Sequence, residues 1–480
     1  MEVNLPPRPR DSVIRQPRVD QLQPTLVEPV RERHPRRIFS TPFILFFGFA
    51  SLIMLGGLLL ALPISSNSGQ FTPLVLAFFT ATSAVTVTGH TVVNTGTYWS
   101  HFGQAIIFFL MLIGGLSFMV VTTFILALLR QRSSLSERLV IRQTMGIDRM
   151  EGLRQITRNI VIVVFLIYFT GAGLIFWRIH GLDGMGITES VWQSLFLSVS
   201  AFNNAGFSML PESPAGSGLA RFATFEILLA TLVALIILGG IGWTSLVDIY
   251  RRRRFSRLNL DTKLVVVTSL ALWIVGALLL FLAEFSNPET FSRLDMLSKI
   301  SNSIFHSVSG RTAGLATLDF GQAEDFTKLT YPALMFIGGA SGSVAGGIKV
   351  NTFAVIIVAV ISSIKGRPQA EAFGREISQH QLLRALTVGV LGLLFIALIM
   401  PTLTLTEPGV PFLDLLFDAV SAFSTTGFST GIVPGLSDIG KIIFILTMFV
   451  GRLGPLTLAL ALAPQEQVLY RFVQERVTIG

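Results

Sequence analysis

Ser83-Ala84-Val85-Thr86-Val87-Thr88-Gly89 is the first of four related segments in a chain of 480 residues. The others are Ser200-Ala201-Phe202-Asn203-Asn204-Ala205-Gly206, Ser309-Gly310-Arg311-Thr312-Ala313-Gly314 and Ser421-Ala422-Phe423-Ser424-Thr425-Thr426-Gly427. In the first, second and fourth, Ser-Ala starts six residues before the glycine, and the third is one residue tighter. Phe79, Phe196 and Phe417 each stand ten residues before theirs. The segments recur about every 110 residues, and a fixed period marks a repeat architecture. Each is preceded by one apolar stretch and followed by another, so one repeat reads as helix, loop, helix.

Hydrophobic residues make up 51% of the chain, charged residues only 13%, and the mean hydropathy is +0.67. Soluble domains carry about 25% charged residues, so the composition points to a polytopic membrane protein. The ranges 41–62, 105–129, 157–178, 223–247, 264–286, 331–363, 384–405 and 440–463 are each long enough to cross, since a span needs ~20 residues. Eight spans put both termini on one side. The stretches 72–84, 190–202, 297–309 and 411–423 are too short to cross and suit re-entrant helices. Thr72, Ser190 and Pro411 fit their starts, and Ser298 is a less clear one. The expected fold is all-α, with four tandem helix–re-entrant loop–helix repeats around one central pore. Its divisions are a basic tail 1–40, repeats over 41–130, 131–250, 251–363 and 364–463, and a C-terminal tail 464–480.

Net charge is +8, and the cations are unevenly placed. They cluster in the tail (Arg8 to Arg37) and between repeats: Arg130 to Arg158, Arg251–Arg254 with Arg257 and Lys263, and Lys365, Arg367, Arg375 and Arg384. Residues 63–75 carry none. Lys and Arg concentrate in cytoplasmic loops, which places both termini and the junctions in the cytoplasm of a multi-pass plasma-membrane protein. This rule accounts for the basic runs, and no aromatics interleave them, so nucleic acid is excluded as a partner. With no cysteines, disulfide and thiol chemistry are excluded. The Pro- and Arg-rich residues 1–40 lack helical periodicity and read as disordered. The first apolar run is too long for a signal-peptide core and reads as a retained span.

Non-helical backbone at membrane depth is tolerated only where it is buried or lines a water-filled cavity. Four such loops argue for an aqueous path. The C-terminal ends of the short helices, each carrying roughly half a negative charge, favour a cation in it. Backbone carbonyls can replace the hydration shell of a potassium ion, and glycine most easily adopts the angles that aim them. The candidate filter is Thr86, Val87, Thr88 and Gly89; Asn203, Asn204, Ala205 and Gly206; Arg311, Thr312, Ala313 and Gly314; and Ser424, Thr425, Thr426 and Gly427. The first, ending in His90, comes closest to a tetrameric potassium-channel filter. The others keep one glycine, so fewer sites are well formed.

The second spans hold Gly114-Gly115, Gly239-Gly240, Gly338-Gly339 and Gly451-Arg452. Such pairs favour close helix packing over hinges. The third copy runs Gly338, Gly339, Ala340, Ser341, Gly342, Ser343, Val344, Ala345, Gly346, Gly347, Ile348, Lys349. Each Gly costs ~1 kcal/mol against Ala in a helix, so this span alone clearly breaks, and its loop is a gate candidate. Arg452 projects into the path below the filter if the repeats align. An intramembrane charge usually faces the interior, although pairing with a buried acid or with carbonyls is the alternative.

The four segments, the Gly-Gly-x-Ser-Gly-Ser-x-Ala-Gly-Gly-Ile-Lys loop (338–349) and Gly-Arg-x-Gly-Pro-Leu-Thr (451–457) occur in order. Over roughly 40–463 the chain resembles the Trk/Ktr/HKT superfamily of potassium transporters, most closely the membrane subunits of bacterial Ktr systems. The resemblance implies filter glycines at 89, 206, 314 and 427, a gating loop at 338–349 and a pore-facing Arg452. It also implies a homodimer with one pore per subunit, a cytoplasmic ring of nucleotide-binding regulatory subunits, and sodium as a possible activator. Two positions depart from the family pattern: His90 stands where an aliphatic residue is usual, and Leu315 where Phe is common.

Other residues read more blandly. The glycine-rich loop lacks the Gly-x-x-x-x-Gly-Lys-Ser/Thr phosphate-binding pattern, so no nucleotide cofactor is expected on this chain. Arg311 would repel permeating ions and more readily points away to brace its loop. Lys349 ties the gate loop to carbonyls or water. His306 and Asp418 suit structural hydrogen bonds better than ion binding. His90 reads as a solvated rim histidine, with tuning of the mouth by protonation as the other reading. Glu226 and Glu284 look like ordinary ends of spans. No His, Asp and Ser constellation suggests an enzyme. The leading function is potassium uptake through a gated, channel-like pore. The alternative is a sodium- or proton-coupled symporter, which predicts inverted repeats and paired discontinuous helices; a single broken span disfavours it. A non-transporting scaffold does not need four filter segments.

Overall fold

Residues 41–115, 153–180, 185–210 and 219–454 are described in this computed structural model, all within the unit Ile38–Gly480. The tail 1–40, the basic stretch 116–152 and residues 455–480 lie outside them. In chain order, α1 (Thr41–Ala61) leads to α2 (Leu74–Val85), the four-residue α3 (Thr95–Tyr98) and α4 (His101–Gly115). Then come α5 (Leu153–Ile179), α6 (Ile187–Phe202), α7 (Glu226–Gly240) and α8 (Trp243–Arg252). They are followed by α9 (Leu260–Glu284), α10 (Met296–Ser309), α11 (Asp325–Met335) and α12 (Val350–Ile364). A hairpin of β1 (Ala370–Ala372) and β2 (Arg375–Ile377) precedes α13 (Gln379–Thr406), α14 (Phe412–Ser424) and α15 (Asp438–Leu453).

Among the described residues, three helices are long and apolar enough to cross a membrane: 158–179, 260–284 and 379–406. The pair α7 and α8 makes a fourth if counted together, although it is bent by 99°. The long helices turn apolar side chains outward: Phe169 is 62%, Leu278 55% and Leu398 72% exposed. Such faces need an apolar surrounding, as lipid provides. Inward, small and aromatic side chains pack without exposure, among them Ala77, Phe79, Ala84, Phe196, Phe417 and Phe423.

Among the described residues, two spans are interrupted, not one. The expected break separates α11 from α12 over 336–349. The second lies between α7 and α8, where Gly242 has φ +84°. The carbonyls of Gly239 and Gly240 accept from Val344 N (3.4 Å) and Ala340 N (2.9 Å). The loop of one broken span thus occupies two carbonyls exposed by the other.

The short helices start near the expected places, with shifts. Pro411 is the N-cap of α14, and Pro73 rather than Thr72 precedes α2. Ser190 lies inside the first turn of α6, whose N-cap is Gly186, and Ser298 inside that of α10, behind Asp295. The hairpin at 370–377 is an addition. Its Phe373-Gly374 turn has positive φ at both residues (53° and 71°), the type I′ geometry of a two-residue hairpin. Ala370 and Ile377 pack with Leu264 and Ala354.

The packing order closes on itself. α4 packs on α2 and α6, α7 on α6 and α10, α9 on α10 and α11, α11 on α14, and α15 on α14 and back on α2.

Candidate functional site

The recurring serine explains how each short helix turns into its glycine. The amide preceding the glycine donates to the serine carbonyl: Thr88 N to Ser83 O (2.8 Å), Ala205 N to Ser200 O (2.8 Å), Ala313 N to Ser309 O (2.7 Å) and Thr426 N to Ser421 O (2.9 Å). In the first and fourth segments the serine hydroxyl also accepts from the glycine itself, at 3.1 and 3.0 Å. Gly89, Gly206, Gly314 and Gly427 have φ of 92°, 72°, 67° and 91°. Two residues earlier, Val87, Asn204 and Thr425 are left-handed, with φ of 51°, 54° and 52°. For β-branched Val87 and Thr425 this is an outlier conformation, of the kind that costs about 1–3 kcal/mol and persists at functional sites. The shorter third segment has no such residue at Thr312.

The four glycines meet. A Cβ built on Gly89 would lie 2.6 Å from Ala205 O, and one on Gly206 would lie 3.0 Å from Gly89 Cα and 3.1 Å from Ala313 O. One on Gly314 would lie 2.2 Å from Thr426 O, and one on Gly427 would lie 2.0 Å from Thr88 O. The segments therefore adjoin in the order one, two, three, four, one. All four glycines line a cavity of about 350 Å³, together with His90, Asn94, Asp319 and Ser429.

Side chains brace the ring from behind. Asn204 Nδ2 donates to Thr312 Oγ1 (2.7 Å), tying segment two to segment three. Asn203 accepts from Tyr168 Oη (2.8 Å) and donates to Met111 O (3.4 Å). Thr86 and Thr88 share a hydroxyl–hydroxyl bond (2.7 Å). Arg311 is 5% exposed; it turns from the glycines to donate to the carbonyls of Ile337 and Gly338, its guanidinium 5.8 Å from the Trp273 ring. His306 Nε2 accepts from Thr317 N (3.1 Å), and Asp418 accepts from Thr430 N (2.8 Å) and Ser429 Oγ (2.6 Å). These two side chains hold the segments that leave glycines three and four.

Two expectations are corrected. His90 is not a solvated rim residue: it is 1% exposed, and its ring stands edge-on to Phe444 at 5.8 Å. The neighbouring repeat covers it, a contact between residues far apart in sequence. Glu284 is not an ordinary span end but is fully buried. It accepts from Asn287 Nδ2 (2.8 Å), Thr290 Oγ1 (2.8 Å), Glu324 N (3.1 Å) and Thr327 Oγ1, joining α9 to the start of α11. Glu407 does the same for α15, accepting from Ser437 N and Oγ. A carboxylate at a helix N-terminus is favoured there by the dipole. Glu226 accepts from Ser298 Oγ (3.1 Å).

The loop 338–349 lies against the residues that precede the glycines. A Cβ on Gly338 would meet Thr312 Cγ2 at 3.3 Å, one on Gly346 Thr425 Oγ1 at 2.0 Å, and one on Gly347 Ser424 Cα at 3.1 Å. The cavity is lined by the glycines and residues after them, so the glycine ring separates cavity from loop. Three cations hold the loop's carbonyls: Arg311 as above, Lys349 on Ala345 O, and Arg452 on Val344 O while also donating to Gly114 O. Ser341 N donates to Asn351 Oδ1 (2.9 Å). Ala340, Gly342, Ser343 and Gly339 complete the loop, with Ser343 N donating to Ala340 O (3.1 Å) and Val350 N to Gly339 O (3.0 Å). Among the described residues, no group of three or more His, Cys, Asp or Glu could hold a metal ion.

The glycine pairs mostly pack. A Cβ on Gly114 would lie 2.0 Å from Val85 O, one on Gly239 1.8 Å from Phe202 O and one on Gly451 1.8 Å from Phe423 O. In three repeats the second span thus touches the same carbonyl of its own short helix. Sequence reasoning missed Glu284, Glu407, Asn351 and Asp319 as structural or lining residues. Their polarity at helix ends was the available signal.

Comparison with known proteins places this geometry in context. The family described as "TrkH: Cation transport protein" matches residues 52–469. The Ktr system potassium uptake protein B of Bacillus subtilis is 37% identical over 444 residues, 92% of this chain and 97% of that protein. The potassium/sodium uptake protein NtpJ of Enterococcus hirae is 34% identical over 457 residues, 94% of this chain and 100% of that protein. The crystal structure of the potassium transporter TrkH from Vibrio parahaemolyticus shares the fold, with a TM-score of 0.69 at 19% identity over 90% of this chain and 87% of that one.

Proposed function

The chain belongs to the TrkH family of cation transport proteins, transporters and not enzymes, and on that premise we propose that it takes up potassium through a pore whose filter is the ring of Gly89, Gly206, Gly314 and Gly427. The observation that carries the proposal is the meeting of four positive-φ glycines from four repeats at one cavity. Carbonyls aimed by such backbone can replace a potassium ion's water. The loop 338–349, packed against Thr312, Ser424 and Thr425, is the gate, with Arg452 and Lys349 holding it.

Finer points extend the proposal by analogy. The relative from Enterococcus hirae is described as a potassium/sodium uptake protein, which agrees with sodium as activator or second cation. Relatives described as parts of a Ktr system support a partner subunit, which in this reading is a cytoplasmic nucleotide-binding regulatory ring acting on a homodimer. The basic junctions support a plasma-membrane protein with both termini in the cytoplasm.

The coupled-symporter reading gains one observation, the second broken span at Gly240–Gly242, because discontinuous helices in pairs are a mark of that class. The glycine ring favours the channel-like reading. The test is rubidium uptake into liposomes holding the purified protein, at fixed voltage, with sodium as competitor. Potassium-like selectivity that Gly427→Asp alters is expected. Unchanged ion preference in that variant refutes the filter, and flux that follows an imposed sodium or proton gradient refutes the channel-like mechanism.

A further inference from the structure

One side chain connects the gate loop to the basic junction at 251–263. Asn351 stands in the first turn of α12 and is 9% exposed. Its Oδ1 accepts from Ser341 N in the loop (2.9 Å), and its Nδ2 donates to Asp261 Oδ1 in the first turn of α9. A carboxamide offers an acceptor on one side and a donor on the other. A backbone N–H and a carboxylate therefore fix its orientation. Two residues before Asp261, Asn259 N donates to Asp248 Oδ2 (2.8 Å). Asp248 is paired with Arg252 at 2.7 Å, and Arg252, 42% exposed, also donates to Asn259 Oδ1 (3.0 Å). A continuous set of contacts thus runs from a surface arginine to Ser341 in the loop without passing through the four glycines.

We propose that Asp261 and Asn351 are positioning residues that latch the gate loop closed and tie its release to movement of the basic junction. The inference rests on the gating reading above. α8 and α9 lie on either side of the junction. A displacement of residues 251–259 would pull Asp261 from Asn351 and free Ser341.

The pair can be exchanged. Asn351→Asp sets two carboxylates against each other. Combined with Asp261→Asn it restores both hydrogen bonds with the roles reversed, since a carboxylate at 351 still accepts from Ser341 N. Rubidium uptake is compared in liposomes for the full chain, N351D, D261N, the exchanged double variant and a chain lacking residues 340–346. N351D is expected to raise uptake roughly tenfold, the effect of losing one hydrogen bond to a charged group. D261N should raise it less, the double variant should return it towards the parent, and rubidium-over-sodium preference should stay unchanged throughout. That return, at constant selectivity, distinguishes a latch from a general loosening. Should N351D not be recovered folded, D261N changes an exposed side chain and gives the same reading. Parental uptake in D261N and N351D, or a double variant as leaky as N351D, overturns the latch if the loop deletion still raises uptake. If the deletion changes nothing either, the gating reading falls and the latch with it.

Discussion

Replacing the four filter glycines by alanine, one at a time, should damage ion selectivity in an order set by the geometry. A Cβ at residue 427 would sit 2.0 Å from Thr88 O, against 3.4 Å for ordinary contact, a deficit of about 1.4 Å. The deficits are about 1.2 Å at Gly314, 0.8 Å at Gly89 and 0.4 Å at Gly206. In each case the nearest neighbour is backbone, so no side-chain rotation relieves the clash, and all four have positive φ. Left-handed backbone adds roughly 1–2 kcal/mol for a residue with a Cβ, a cost common to all four that does not change the order. A binding constellation must be held within about 0.5 Å, so the deficits at 427 and 314 exceed that tolerance more than twofold, while that at 206 falls inside it.

Gly427→Ala and Gly314→Ala should therefore lose at least tenfold in potassium-over-sodium preference, about 1.4 kcal/mol. Gly89→Ala should lose less, and Gly206→Ala least. The assay is rubidium uptake into liposomes against graded sodium. Gly409→Ala serves as control, since nothing lies within 4 Å of that glycine. Parental selectivity in folded Gly427→Ala, or a greater loss in Gly206→Ala than in Gly427→Ala, refutes the argument that the ring's spacing sets selectivity.

Three other variants address the surrounding structure. Arg452→Gln gives up the guanidinium contacts to Val344 O and Gly114 O, and with bonds to charged groups worth about 1.5–3 kcal/mol uptake without any partner should rise tenfold or more; unchanged uptake would remove Arg452 from the gate. Glu284→Ala should destabilise the protein by about 3 kcal/mol, because it leaves the donors of Asn287, Thr290, Glu324 and Thr327 without their acceptor. A fall in melting temperature, smaller for Glu284→Gln and without change in selectivity, checks this. Asp319, a carboxylate lining the cavity at the four glycines, should concentrate cations there. Asp319→Asn should raise the half-saturating rubidium concentration roughly twofold at low ionic strength, and the difference should shrink at 0.15 M, where the screening length is about 8 Å.

What the sequence made legible was local. The period, the serine six residues before the glycine and the short apolar stretches identified the segments that meet at the cavity, because a tight turn out of a helix needs those residue types wherever it occurs. The break at 338–349 was equally plain, since that many glycines cannot continue a helix. The break at Gly240–Gly242 was not: Gly-Ile-Gly inside an apolar run reads as helix, and the groups that compensate it, Ala340 N and Val344 N, come from another repeat. His90 and Glu284 escaped for the same reason. One is covered by Phe444 and the other by residues 324 and 327, and no pattern in the flanking sequence announces either partner.

The location of the loop in the third repeat follows from one substitution in the signature. After the serine, Val85, Phe202 and Phe423 stand in equivalent places, and each offers its carbonyl to a second-span glycine, Gly114, Gly239 or Gly451, at a distance where a Cβ would not fit. The second span is pinned to its short helix at this point. The residue two after Ser309 is Arg311, and its side chain donates to the carbonyls of Ile337 and Gly338, where the chain leaves α11. The polarity of the contact is inverted: the short helix now supplies the donor, and the second span supplies acceptors that a continuing helix would have used itself. A guanidinium can satisfy two such carbonyls at once, so it stabilises the end of α11 in the place where the other repeats hold a glycine against the short helix. The missing residue in the third signature has a matching effect. Without a left-handed residue at Thr312, the segment leaves its hydroxyl to Asn204 and its methyl to Gly338. The departure of the third signature from the other three and the end of α11 are therefore coupled through Arg311 and Thr312.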